Sequence, residues 1–418
     1  MAEQARKEET ERQNVHNQSM RHKPGFSTSS HGQSLLSLLA LYIVNPPLSY
    51  ASTSLYIHPR DITLPLRVTN ACNEAIWPAI LTQSGTGLAK SGFMLTPGES
   101  NSQTVSGDWA GRVWARTNCS FPTSEQGGAA CATGDCDMCP ECQSAGQAPA
   151  TLAEFTMSSD TYQAFYDLSL VDGYNIPVGI ISLLPQSGNS TLEGIPPNLT
   201  NPVCIGTSSL LAPVGDSSNP DFGTNSTFPL PLDQTVTSSF VQNWCPWPLQ
   251  LDPPEKPGDG VYPYPDDNIQ RPIFNPCLSA CAKWNKAKYC CTGNHASPST
   301  CSPSMYSTQA KKVCPDAYSY AYDDQTSTFI IPQGGGFEVV FYPSGRSTNI
   351  LATFGDQLRQ LAQTGHATRD MVRIAPNATY IRKKDDAAVP VSEPSPSLIA
   401  LVVFLLWVCL GDVGAVFS

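Results

Sequence analysis

The stretch Cys131–Cys142 reads CATGDCDMCPEC, four cysteines in twelve residues with the last three spaced C-x2-C-x2-C. That spacing suits a metal or an iron–sulfur cluster as well as one corner of a disulfide framework. The redox compartment separates the two readings, because cysteines on the secretory route pair, whereas cytosolic ones stay free, ligate or react.

Both ends of the chain bear on that choice. Residues 35–44, LLSLLALYIV, form an apolar run too short to span a bilayer, and Pro46, Pro47 and the small-x-small sequence Ser49-Tyr50-Ala51 follow it. The pattern predicts a secretory signal peptide within residues 1–51. Counted from Met1 its n-region is long; counted from Met20 it becomes MRHKPGF, basic and of ordinary length. At the other end, LIALVVFLLWVCL (398–410) follows the polar spacer VPVSEPSPS and the small cluster Asp386-Ala387-Ala388. This order predicts a GPI-anchor signal over 388–418 rather than a membrane span, since the run is short and Asp412 would be costly in a longer one. The expected location is the extracellular face of the plasma membrane or the cell wall. The 15 cysteines are then expected to be mostly bridged, and neither a metal nor a cofactor is expected.

The 418 residues, 40% hydrophobic and 14% charged, suffice for one large domain or two ordinary ones. A formal net charge of -11 argues against a nucleic-acid partner, which needs a basic face. LPLRVTN (64–70), VWART (113–117), FYDLSLVDGY (165–174) and FEVVFYP (337–343) read as strands, with turn signals such as Thr96-Pro97-Gly98 between them. They predict a mainly β chain, an antiparallel β-sandwich core whose last strand returns to the first. Residues 185–270 are rich in Pro, Ser, Asn and Gly and hold glycosylation sequons at Asn189, Asn198 and Asn225; a fourth lies at Asn377. Cysteines crowd 277–314, where CLSACAKWNKAKYCC predicts a small helical lobe held by disulfides. Residues 344–387 read as a C-terminal tail whose Ile350, Leu351, Phe354, Leu358 and Leu361 share one face of a short amphipathic helix resting on the domain surface.

Six blocks then occur in order: RVWARTNCSF (112–121), CATGDC (131–136), PATLAEF (149–155), FYDLSLVDGYNIP (165–177), YCCTG (289–293) and VCPDAYSYAYDDQTSTF (313–329). Together they resemble the thaumatin-like proteins, the osmotin and thaumatin family, over residues 62–343, with expanded loops at 185–275. The resemblance implies a β-sandwich core, disulfide-rich lobes of which one is helical, and a cleft between core and helical lobe. It also implies the bridges Cys119–Cys131, Cys136–Cys142, Cys204–Cys314, Cys245–Cys277, Cys281–Cys290 and Cys291–Cys301. The family's bridge from first strand to last has Tyr342 in place of a cysteine, which leaves Cys72 without its usual partner. A second family bridge is missing at both ends, one of them at Ile331. Cys139 is additional, so a replacement Cys72–Cys139 bridge is an open alternative, subject to a Cα separation below about 7 Å.

By the same resemblance, the family's cleft motif maps onto Arg112, Glu154, Asp167, Asp172 and Asp324. Glycoside hydrolysis needs an acid to protonate the leaving oxygen and a carboxylate as base or nucleophile. The resemblance gives Glu154 the first role and Asp172 or Asp167 the second. Simpler readings stand beside it: an Asp in Val171-Asp172-Gly173 also caps turn N–H groups, and an arginine among carboxylates also forms a structural ion pair. Tyr174 and Tyr322 are candidate flat faces for sugar rings. No GxSxG, Walker A or HExxH string occurs. The expectation is a monomeric, cell-surface protein that binds β-1,3-glucan in an acidic cleft and hydrolyses it weakly as an endo-glucanase. The alternative is a non-catalytic antifungal, defence-type or receptor-binding protein.

Overall fold

Alternation in the first strand sets the architecture. In β1 (Thr63–Asn70) Leu64, Leu66 and Val68 are buried while Thr63 and Pro65 are exposed, the period-2 pattern of a strand with one face on a core. The computed structural model describes residues 62–374 apart from 122–128, 137, 159, 212–235, 252–275 and 344. The expected signal peptide, the anchor signal, Asn225 and Asn377 lie outside the described residues.

The other strands are β2 (Trp77–Ser84), β3 (Ser100–Ser106), β4 (Ala110–Arg116), β5 (Leu152–Ser158), β6 (Gln163–Ser169), β7 (Gly173–Tyr174), β8 (Val178–Ser182), β9 (Val203–Cys204), β10 (Cys277–Leu278), β11 (Phe329–Pro332) and β12 (Phe337–Phe341). They form two five-stranded sheets, ordered β3-β1-β12-β8-β9 and β11-β6-β5-β4-β2, and a small β10-β7 pair. The last strand does return to the first, but β12 pairs with β1 in parallel, whereas the remaining ladders are antiparallel. Parallel pairing is open to β12 because a long crossover, not a hairpin, connects it to β1. The chain passes from β11 in one sheet to β12 in the other through Gly336, at φ +78, where a Cβ would meet the Pro65 carbonyl oxygen at 2.2 Å. Only glycine fits that approach.

The core lies between the sheets. Phe337 of β12 stands 5.0 Å from Phe155 and 4.9 Å from Tyr166, ring to ring, so three aromatics span the two layers. Truncating such a ring to alanine costs about 3–5 kcal/mol. Ile331, where the family's second bridge is missing, occupies a core position at 1% exposure.

The opening motif folds against β4. Trp114 is wholly buried among Ala79, Cys136, Cys142, Ala150 and Leu152, and its Nε1 donates to the Gly134 carbonyl at 2.8 Å. Arg116 donates to the carbonyls of Cys139 at 2.7 Å and Pro140 at 2.5 Å. Burial lowers the Arg116 pKa to about 10, against the opposing pull of Asp135. Six bridges close: Cys119–Cys131, Cys136–Cys142, Cys204–Cys314, Cys245–Cys277, Cys281–Cys290 and Cys291–Cys301. The motif's cysteines are thus taken up in bridges, with Cys139 left as an exposed thiol. Cys72 is also a free thiol, so the Cys72–Cys139 alternative is not realised. Cys72 instead follows the β1–β12 pairing, where the Ala71 N–H donates to the Phe341 carbonyl at 2.9 Å.

Helices fill the loops: α1 (Ser190–Glu193), α2 (Ser238–Asn243), α3 (Ala280–Trp284), α4 (Ala287–Cys290), α5 (Met305–Val313), α6 (Ile350–Thr364) and α7 (Arg369–Ile374). The expected surface helix of the tail is α6, and it is a core element. Ile350 and Leu361 are 0% exposed, and Leu358 and Met371 are buried with them. Leu351 and Phe354 are only partly buried; the helix departs from helical geometry at Phe354 (φ -122, ψ 24), which turns the expected apolar stripe. The Gln163 side chain of β6 donates to the Ala362 carbonyl at 2.6 Å. Among the loop sequons, Asn189 is exposed and caps α1. Asn198 is 4% exposed, so this sequon lacks the exposure that glycosylation requires.

Candidate functional site

Side-chain parity puts three of the five family positions on one face. In β5, Ala153 and Phe155 belong to the core, so Glu154 points the other way; in β6, Tyr166 and Leu168 do the same for Asp167; in β4, Val113 does so for Arg112. The register aligns them, with Arg112 opposite Glu154 and Glu154 opposite Asp167. The result is a row across three adjacent strands on the outer face of the second sheet. Arg112 Nη1 lies 3.9 Å from Glu154 Oε1, with both side chains nearly buried. An ion pair so desolvated depends on its partner, because either charge alone would be expensive there.

Asp324 reaches this row through a tyrosine. The Tyr318 hydroxyl donates to Asp324 Oδ1 at 2.7 Å and lies 2.6 Å from the Thr328 hydroxyl. Tyr318 joins the end of β6, its N–H donating to the Leu168 carbonyl at 2.8 Å and its carbonyl accepting from Leu170. Burial pushes the Tyr318 pKa well up, and the charges of Asp167 and Asp324 push it further. Tyr318 therefore remains a protonated donor between two carboxylates.

Asp172 occupies the turn Leu170–Gly173, closed by the Gly173 N–H donating to the Leu170 carbonyl at 3.1 Å. It is half-buried and adds to the upward shift of Tyr306, whose hydroxyl donates to the Leu170 carbonyl at 2.7 Å. Asp172 thus lies close enough to α5 of the helical lobe for its charge to act on Tyr306.

Exposure divides the carboxylates. Asp172 and Asp324 are half-buried, Glu154 is 5% exposed and Asp167 is 0% exposed. Asp167 is sealed from solvent, whereas Asp172 and Asp324 keep part of their surface open. Tyr174 is corrected as a flat face for a sugar ring. It is buried, with its hydroxyl 2.7 Å from that of Thr207 and accepting from the Gly206 N–H. Tyr320 and Tyr322 are partly buried and pack on Ala321 and on Cys291 and Cys301 of the helical lobe. Burial, then the charge of Asp324, raises the Tyr322 pKa, so its ring and hydroxyl stay neutral beside the acid.

Two residues beside the site, Lys311 and Asp323, are not among the five family positions. Lys311 lies 3.2 Å from Asp323 and donates to the Ala317 and Thr326 carbonyls and the Ser327 hydroxyl. Asp323 in turn accepts from the Ser319 N–H and hydroxyl. The Asp323-Asp324 doublet was a signal for this arrangement: one acid fixes the turn while its neighbour faces Tyr318.

A two-sheet core closed by six bridges, with an arginine and two acids in a row on the outer face of one sheet, defines a disulfide-stapled β-sandwich. The chain belongs to the thaumatin family, whose model matches residues 70–343. It is 37% identical over 287 residues to thaumatin-like protein 1 of Arabidopsis thaliana, covering 67% of this chain and 86% of that one. It is 36% identical over 279 residues to pathogenesis-related thaumatin-like protein 3.5 of Cryptomeria japonica, covering 66% and 89%. With pathogenesis-related protein 5 of Arabidopsis thaliana it shares 34% identity over 296 residues, covering 71% and 95%.

Proposed function

We propose that this thaumatin-like protein works at the outer cell surface and binds a β-1,3-glucan on its acidic face. The observation that carries the reading is the Arg112–Glu154–Asp167 row, continued by Tyr318 to Asp324. Ionised carboxylates are acceptors only, and a neutral glucan presents a dense array of hydroxyl donors. Asp172 and Asp324, the two half-buried acids, take the sugar hydroxyls; Arg112 and Asp167 hold the row beneath them. Tyr322 supplies a flat apolar face to a ring.

Weak hydrolysis is the finer part of the proposal. Glu154 protonates the glycosidic oxygen as the bond breaks, and Asp172 activates water or takes the anomeric carbon. The near-buried Arg112–Glu154 contact supports slow turnover, since Glu154 must leave its ion-pair partner to reach the glycosidic oxygen. Six bridges support maturation in an oxidising compartment. Tethering by a GPI anchor rests on the sequence at 386–418.

The test is sedimentation with insoluble β-1,3-glucan alongside reducing-end release from a linear one, for the wild type and Glu154→Gln. Binding by both proteins with release only by the wild type is the expected result. Binding without release by the wild type reduces the proposal to a lectin-like module. Absence of binding ends it. Release of the cell-surface protein by phosphatidylinositol-specific phospholipase tests the anchor, and persistence in the membrane fraction refutes it.

A further inference from the structure

The helical lobe carries charge opposite to that of the whole chain. No Asp or Glu occurs between Asn268 and Pro315, whereas Lys283, Lys286, Lys288, Lys311 and Lys312 all do, in a chain of net charge -11. Lys283, Lys286 and Lys288 are exposed around the junction of α3 and α4. Among the described residues no carboxylate pairs with any of the three. Trp284 lies within this cluster and is 38% exposed. Its ring stands 5.3 Å from that of Tyr289 at an interplanar angle of 41°, and the Lys288 ammonium lies 4.7 Å from the Tyr289 centroid. Asn285, at φ 44, turns α3 into α4, and Cys281–Cys290 ties the two together. The patch is therefore held in shape before any partner arrives, which lowers the entropy cost of binding.

We infer that this face docks an anionic polysaccharide, a chain of carboxylated sugars. Beyond the Trp284–Tyr289 and Lys288–Tyr289 contacts the patch keeps exposed indole and ammonium surface, and its chemistry divides in two. The aromatic faces of Trp284 and Tyr289 stack on the apolar face of a sugar ring. The ammonium groups around them pair with carboxylates at intervals along the polymer, a complementarity that a neutral glucan does not offer. A lipid bilayer is the less suited occupant, because interfacial binding needs an apolar face that enters the acyl boundary. In this lobe the exposed large hydrophobics are Trp284 and Met305 alone among the described residues. The surface is independent of the acidic face, so neither reading depends on the other.

The test uses the full-length secreted protein and polygalacturonate as probe. The arms are fully methyl-esterified polygalacturonate, phosphatidylserine vesicles and insoluble β-1,3-glucan, read by equilibrium binding at two salt concentrations. The variants are Lys283→Gln/Lys286→Gln/Lys288→Gln together and Trp284→Ala. Polygalacturonate binds the wild type and the esterified polymer does not. The triple variant loses roughly tenfold in affinity at low salt, three weak exposed pairs acting together, and its salt dependence flattens. Trp284→Ala weakens binding without changing the salt dependence. Far-ultraviolet circular dichroism and β-1,3-glucan sedimentation unchanged from wild type show that the triple variant is folded. Equal affinity of wild type and triple variant, equal binding of the esterified polymer, or binding of the vesicles but not of polygalacturonate overturns the inference.

Discussion

Replacing Asp316 by alanine tests whether the helix beyond the family-matched span is part of the working fold. Asp316 is 2% exposed. Its two carboxylate oxygens accept from the Ile350 and Leu351 N–H groups at 2.8 and 2.9 Å. These are the first two residues of α6, whose own N-cap residue, Asn349, makes no side-chain cap bond. A residue far back in the sequence thus caps the helix and joins it to the block that carries the acidic face. Loss of a side-chain cap costs about 0.5–2 kcal/mol, and a hydrogen bond to a charged group contributes about 1.5–3 kcal/mol. The two bonds share one carboxylate, so the loss is on the order of 3 kcal/mol rather than twice the larger figure. Burial acts the other way. It raises the Asp316 pKa above the ordinary carboxylate value, against the hydrogen bonds and Lys311. Asp316→Asn keeps one acceptor oxygen without the buried charge and loses about half as much. The sign of the pH effect follows. An acid whose folded pKa lies above its unfolded one stabilises fully below about 3.9, and that contribution is lost as pH rises through the folded value. The stability advantage of the wild type over Asp316→Asn therefore shrinks on going from acid to neutral pH. Urea midpoints of the oxidised proteins measure both effects, and amide exchange at Ile350 and Leu351 locates them. A loss below about 0.5 kcal/mol for Asp316→Ala, or an advantage that grows with pH, refutes the cap.

Further perturbations probe the acidic face and the free thiols. Tyr318→Phe removes the 2.7 Å bond to Asp324 and costs roughly 1–2 kcal/mol in stability; β-1,3-glucan sedimentation falls several-fold, and unchanged sedimentation separates Asp324 from the ligand. Arg112→Gln strands Glu154 near-buried without its cation and costs about 3–5 kcal/mol, whereas Arg112→Gln/Glu154→Gln recovers most of that; a double-mutant cycle with no coupling shows the pair to be incidental. Tyr342→Cys restores the family's first-to-last-strand bridge, seen in a non-reducing digest as a peptide that joins Cys72 to the introduced thiol, and raises stability by up to about 4 kcal/mol. Recovery of Cys72 only as a modified free thiol rejects that pairing.

The sandwich was legible because alternation and the family blocks agreed, from the period-2 burial of Leu64, Leu66 and Val68 to the aromatic pair Phe155 and Tyr166. The parallel β1–β12 ladder was not, since hydrophobic pattern fixes which face is buried and not which way a neighbour runs. The tail was misjudged for a related reason. Ile350, Leu358 and Leu361 marked an amphipathic helix, yet amphipathicity leaves open whether the apolar stripe meets a surface or enters a core. The deciding residue, Asp316, sits 34 positions away from Ile350. No local window contains that contact. Tyr174 failed as a sugar platform because an aromatic in a β-rich block reads the same whether its hydroxyl meets solvent or Thr207.

The acidic face shows the same boundary between residue type and reach. Parity alone puts Arg112, Glu154 and Asp167 on one side of the sheet, and register puts them in a row. Neither says how deep each lies, because depth is set by what covers that face: Trp114 and the Cys136–Cys142 loop near β4, and Tyr318 at the end of β6. Those covers sort four similar acids into different work. Asp167, sealed and beside Tyr318, is limited to shaping the field of the row. Asp324 and Asp172 are half-buried, and the proposal sets these two against the ligand. Glu154 stands between, 5% exposed and 3.9 Å from the Arg112 guanidinium. Under the proposed function, ionised acceptors suffice to hold a polyhydroxylated chain, whereas cutting one requires a poised acid.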